Sequence, residues 1–391
     1  MIIFKLDLIK FYKNLNLKRT RSTVKDYFTD YNIIFNNTEV EAKAPTLTWL
    51  TQWLLSNSIS KQTKYKYNTV IGLYKRFCDK HGFNFTIPSF QLLMVFLVYR
   101  ALVDKVSYST LKANLSAMKA WASNCGHILV NDPTEKVILH KLFLSIGKQV
   151  GVKLQDKRLP MTFDIMSAIA GITNFGIYNN VVLYTIMVVA FLGLHRLGEL
   201  CPTKRTGNDP RFVVNTEDWL PQVIGDYKFG LIHLKVSKTD TYNSGVNVII
   251  PKGMGVVDAR LWMQHMIDIR IKLYNINKSY NLLAFRKGNP LFVLDNGKLV
   301  IKSDVIKFLR IKLRELGIDP TKFAGHSFRI GGATELGRRN VPSFIIKQLG
   351  RWKGPCYKRY IRLSSHQLAE QVTELWHARI GNPFIVFDNE Q

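Results

Sequence analysis

The 391-residue sequence is poor in cysteine and in acid, and it has no long apolar run. Its four cysteines, Cys78, Cys125, Cys201 and Cys356, lie far apart, with no CxxC and no Cys/His cluster. That spacing argues against a zinc site, offers no disulfide framework and suits a reducing compartment. The longest apolar stretch, at 181–194, is too short to cross a bilayer and reads as a buried helix. The opening MIIFKLDLIKFYKNLNLKRTR interrupts its apolar residues with Lys and Asp, unlike a signal peptide. The expectation is a soluble intracellular protein with no membrane partner, nuclear in a eukaryotic host and cytoplasmic otherwise. Acid is scarce enough to matter: 28 Asp and Glu face 55 Lys and Arg, a formal net charge of +27 spread along the whole chain. A field of that sign draws polyanions, and nucleic acid is the commonest of them. A basic protein held to ribosomes or membranes by charge alone is the other reading at this level.

What is present divides the chain. Residues 1–45 are rich in Asn and Lys with weak periodicity and read as an arm or extension. From 46 to 152 the pattern is helical. After Ser60, a plausible N-cap, Tyr67, Val70, Ile71, Tyr74, Phe77 and Cys78 recur at i, i+3, i+4 and i+7, and Gly82 ends the helix. Pro88 and Ser89 open an apolar helix. Ser109 is expected to cap a third, with Leu111, Leu115, Met118 and Ala122 as its core stripe, and a fourth follows Pro133. Lys61, Lys64, Lys112 and Lys119 fall away from these stripes. Such lysines are ordinarily solvated; in a bundle this basic, DNA phosphate contact is at least as well supported. Residues 153–162 read as a charged linker. Beyond them, 163–391 mixes helices with a small hairpin, in which two strands at 230–236 and 246–250 flank Asn243-Ser244-Gly245. A tail helix begins near 364.

Four segments of this second half carry chemistry. In GLHRLGEL (193–200), Arg196 and Glu199 stand i, i+3 on an otherwise apolar helix, a buried pair by its look. KVSKTD (235–240) sets Lys235 and Lys238 at the end of a strand. In GHSFRIGGAT (325–334), His326 and Arg329 lie one turn apart at a helix start, an arrangement suited to phosphate: a fixed cation, a titratable donor and the helix N-terminus. GRWKGPCYKRYIR (350–362) is basic and aromatic, with Tyr357 and Tyr360 as candidate nucleophiles.

In that order, Arg, Lys, His-x-x-Arg, Trp and Tyr resemble the signature of the tyrosine recombinase (phage-integrase) family, and the resemblance covers most of the chain. The wording looks nearest to recombinases of Crypton and DIRS-type mobile elements. The resemblance implies an α plus mixed α/β fold: a helical core DNA-binding domain, then a mainly α catalytic domain with a small β-sheet, the DNA-breaking-rejoining enzyme fold. It also implies cleavage of double-stranded DNA through a 3′-phosphotyrosine, with no metal, ATP or other cofactor. Carried over by position, Arg196 and Arg329 would clamp the scissile phosphate and Tyr360 would attack it. Lys238 would protonate the leaving oxygen, His326 would assist proton transfer and Trp352 would donate its indole N–H. Glu199 would orient Arg196 or His326, and the tail would link a homo-tetramer on DNA through Leu368, Val372, Leu375 and Trp376. One departure is plain. Family members often place a His or Trp nine residues before the tyrosine, where this chain has Arg351, with Trp352 eight before it. Trp352 is preferred, with Arg351 able to share its phosphate contact. The Tyr-Ile-Arg ending favours Tyr360 over Tyr357. His195 receives no role beyond the core. The rival functions are a type IB topoisomerase with the same chemistry, a non-catalytic DNA-binding derivative, and an RNA-binding factor.

Overall fold

A computed structural model of the protein describes residues 43, 45–56, 58–149, 158–237, 240, 244–363, 366, 368, 369, 372 and 373. They form two compact units, one before and one after the stretch 150–157. Most of the arm expected at 1–45 and most of the expected tail lie outside the described residues. Within them no helix is long and apolar enough to cross a membrane.

The first unit is five helices: α1 (Pro45–Ser56), α2 (Lys61–His81), α3 (Phe90–Leu102), α4 (Tyr108–Asn124) and α5 (Pro133–Gln149). The Ser60 hydroxyl accepts from the Thr63 N–H, satisfying one free donor of the first turn of α2, and Gly82 ends it with φ +71. Ser89 caps α3 in the same way. The cap of α4 is Ser107, not Ser109. Ser107 has the extended backbone a cap needs and accepts from the Thr110 N–H, while Ser109 already lies inside the first turn. The apolar stripes meet as periodicity requires. Tyr74 packs edge-on to Phe96 with ring centroids 5.2 Å apart, and Phe85 stacks on Trp121 at 5.5 Å. Full burial of such side chains contributes about 1.5–3 kcal/mol each. Of the four lysines expected at DNA, Lys61 and Lys112 are exposed, and Lys64 and Lys119 are half-buried. The Lys112 ammonium also lies 4.6 Å from the centre of the Tyr108 ring.

In the second unit the buried helix α7 (Tyr178–Leu192) is central. It packs on α9 (Ala259–Ile276), α10 (Lys302–Glu315) and α11 (Ser327–Arg338), while α6 (Phe163–Gly171) precedes it. A three-stranded antiparallel sheet, β1 (Trp219–Ile224), β2 (Tyr227–Leu234) and β3 (Val246–Pro251), runs in the order β1-β2-β3. Strand β1 escapes sequence reading because it is an edge strand with a proline and almost no alternation: only Trp219 is buried. The expected hairpin is formed by β2 and β3, with Leu234 paired to Val246, so the first strand ends two residues before the expected 236. A short pair, β4 (Gly253–Met254) with β5 (Val257–Asp258), leads into α9. The expected linker is shorter than 153–162. Leu159 N–H donates to the Lys322 carbonyl, Met161 N–H to that of Ser327, and Met161 is fully buried, so this stretch is already part of the second unit.

Candidate active site

The segment 181–200 does not form one helix. It breaks after Leu192, where Leu194 takes a left-handed φ of +48, and restarts as α8 (Leu197–Leu200) with Arg196 as the residue before it. Arg196 and Glu199 therefore meet across a helix start and not along a continuous helix. The Glu199 carboxylate accepts from the Arg196 backbone N–H at 3.0 Å and from its guanidinium at 2.7 Å. Arg351 also donates to it, at 2.6 Å, and the Nδ1 of fully buried His195 lies 3.4 Å away. Burial alone would raise the Glu199 carboxyl. The His195 contact and the Arg351 charge outweigh that and hold it well below the usual carboxylate range. Burial pushes His195 down to about 4, so it is neutral at physiological pH.

Arg329 and His326 enter from α11. Arg329 is fully buried, one Nη donating to the Leu194 carbonyl at 2.7 Å and the other to the Gly350 carbonyl. Its Nε has no partner among the described residues. Burial and the nearby Arg196 and Arg351 charges bring its pKa down to about 10, still a full cation at neutral pH. The Trp352 ring centre stands 4.5 Å from the Arg329 guanidinium carbon, and that of Tyr360 5.6 Å. His326 is exposed, its ring 5.7 Å from that of Tyr360 and nearly perpendicular to it.

The last segment follows α12 (Ser343–Leu349), and a 3₁₀ turn over Pro355–Arg359 delivers Tyr360. Trp352 is buried with its ring 4.8 Å from that of Tyr360, and its indole N–H has no partner among the described residues. Arg351 and Trp352 therefore part company: the tryptophan faces the phenol and the arginine faces Glu199. Tyr357 is half-buried in the small apolar cluster beneath. The Thr334 hydroxyl, unremarked in the sequence, donates to the Tyr360 carbonyl at 3.0 Å and accepts from the Arg362 N–H at 3.1 Å. Its only signal was its place in the GGAT string. Lys238 lies outside the described residues. Its competitor Lys235 is held by Asp218 at 2.7 Å.

The structure thus gathers Arg196, Glu199, His326, Arg329, Trp352 and Tyr360 in one unit, and adds His195, Arg351 and Thr334. Three guanidiniums stand against one carboxylate, which leaves two positive charges uncompensated. Five buried arginine or tryptophan N–H donor atoms lack a partner among the described residues, and four are here: Arg329 Nε, Arg351 Nε and Nη1, and Trp352 Nε1. Buried donors are normally paired, so such a concentration fits an acceptor-rich anion.

No protein-family model and no curated protein matches the sequence. Among solved structures, the chain is similar to the XerH site-specific recombinase bound to palindromic difH substrate in a post-cleavage complex. The two share 12% identity at a TM-score of 0.51, over 92% of this chain and 91% of that one. XerH in its pre-cleavage complex with difH gives 13% identity and 0.50, over 93% of each chain. At that identity the likeness is one of fold. The chain has the expected architecture, a helical unit followed by a mainly helical unit with a small antiparallel sheet, and shares its fold with these XerH structures.

Proposed function

We propose that the protein is a tyrosine recombinase that cleaves and rejoins double-stranded DNA, in the service of a mobile element. The observation that carries the reading is the set of unpartnered buried donors, with two excess positive charges, grouped around one phenol. A phosphodiester brings one negative charge and acceptor oxygens to such a site, and the five-coordinate transition state carries more. Arg196 and Arg329 neutralise the non-bridging oxygens, and the Trp352 indole N–H donates to one of them. The Tyr360 oxygen bonds to phosphorus as its phenolic proton passes to His326. The bond from phosphorus to the 5′-oxygen breaks, and that oxygen takes a proton from Lys238. A new 5′-hydroxyl reverses the steps and frees Tyr360. The phosphotyrosine keeps the energy of the broken bond, so religation needs no ATP, and arginine charge does the work a metal would do. The test is a suicide duplex whose cut strand diffuses away, incubated in EDTA. A covalent protein–DNA band is expected, and its absence at a site the protein demonstrably binds would sink the reading.

Two further expectations belong to it. Changing Lys61, Lys64, Lys112 and Lys119 together to Ala should flatten the dependence of log affinity on log salt by roughly two to three, at about 0.9 for each phosphate no longer neutralised. An unchanged slope would mean that these lysines are only solvated. The homo-tetramer draws support from Leu368 and Val372, both exposed apolar residues. Mass photometry on site DNA should show four protomers on two duplexes. Monomers that recombine would refute the assembly.

A further inference from the structure

We propose that Arg351 is a positioning residue of this site, acting through Glu199 to fix Arg196. The proposal rests on the strand-transfer reading for its kinetic consequence only.

Two chain segments must be held together for the site to exist, one carrying Arg196 (residues 194–199) and one leading to Tyr360 (residues 350–352). Two rungs join them. The first is Arg329, whose two Nη groups donate to the Leu194 and Gly350 carbonyls. The second is the Arg351–Glu199 ion pair, 2.6 Å long, with side chains only 10% and 7% exposed. Each segment carries a non-glycine residue in the left-handed region, Leu194 at φ +48 and Arg351 at φ +56. Such backbone persists where its surroundings over-determine it, and it clusters at functional sites. At Arg351 that conformation sends its side chain to Glu199 while the next residue, Trp352, faces Tyr360.

Glu199 is the joint. One oxygen takes the Arg196 guanidinium, and the other takes both the Arg196 backbone N–H and Arg351. Without Arg351 the second oxygen keeps only the Arg196 backbone N–H and the 3.4 Å His195 contact, so the carboxylate holds the Arg196 guanidinium less firmly. Arg329 is bound to backbone carbonyls and cannot substitute.

The variant of choice is Arg351→Asn, because Asn tolerates a positive φ and its amide is too short to reach Glu199. Two measurements decide. In the DNA-free protein, the Arg196 Nε–Hε resonance should shift or broaden on Arg351→Asn while the melting temperature holds. An unmoved resonance overturns the proposal. In single-turnover cleavage of the suicide duplex, Arg351→Asn should slow the reaction about 10- to 100-fold, the range for partners that orient a site's ligand residues, with DNA affinity within about twofold. In a Glu199→Gln background the same change should add under about twofold, since the joint is already gone. An undiminished loss there would place Arg351 on the phosphate and overturn the positioning role. Should Glu199→Gln fail to fold, the resonance of the single variant still decides. If wild-type protein forms no covalent band, the strand-transfer reading fails while the resonance measurement stands.

Discussion

Tyr360→Phe is expected to remove the covalent protein–DNA product completely, leaving DNA affinity within about twofold of wild type. Phenylalanine keeps the ring that packs at 4.8 Å from Trp352 and removes one oxygen. That oxygen is the atom that bonds to phosphorus, and nothing nearby replaces it. The competing tyrosine, Tyr357, is half-buried against the same apolar cluster as Tyr360, so the neighbouring groups distinguish them. Tyr360 has Trp352, His326 and the Arg329 guanidinium within 6 Å of its ring. Tyr357→Phe should therefore retain the band. The decisive comparison is both variants on one suicide duplex, with affinity measured in parallel at one fixed salt concentration, because charge contacts make affinity steeply salt-dependent. If Tyr357→Phe loses the band and Tyr360→Phe keeps it, the nucleophile is misassigned.

The fold was legible where period and caps agree. Helices α2, α3 and α11 stand at or near their expected places because Ser60, Ser89 and Gly82, and the start of α11 just after Gly325, mark their ends. What escaped was set by long-range contact. Strand β1 has no alternation of its own and exists because β2 pairs with it, Trp219 opposite Ile232. The break at Leu194 is invisible in an apolar run, since nothing in the local residues demands it. Its partners are Arg329, which bonds the Leu194 carbonyl from 135 residues away, and the second rung at Arg351. The same blindness affected the site. Arg196, His326, Arg329, Trp352 and Tyr360 were legible as residue types in a fixed order. The partner of Arg351 was not, because Glu199 lies 152 residues away and an ion pair leaves no trace in spacing.

The second large effect concerns the frame that holds these groups. Gly331→Ala is expected to cost more than about 3 kcal/mol and to strip the cell of most soluble protein. A β-carbon there would stand 1.7 Å from the Met161 carbonyl oxygen and 2.6 Å from its carbon. These are backbone atoms, and they cannot swing aside as a side-chain end can: Met161 is fully buried and its N–H is bonded to the Ser327 carbonyl. Helix α11 would have to retreat, carrying Arg329 away from the Leu194 and Gly350 carbonyls it bridges. Overpacking of this kind costs about 1–3 kcal/mol when side chains absorb it and more when backbone must move. Against a typical total stability of about 5–15 kcal/mol, the loss is large. Gly72 supplies the contrast. It lies within α2, where a β-carbon meets nothing within 4 Å, so Gly72→Ala should stabilise by about 0.5–1 kcal/mol through helix propensity. Urea unfolding of both variants beside wild type separates the cases. A Gly331→Ala protein unfolding at the wild-type midpoint would mean that Met161 does not pack against α11 as described, and the placement of Arg329 would fall with it.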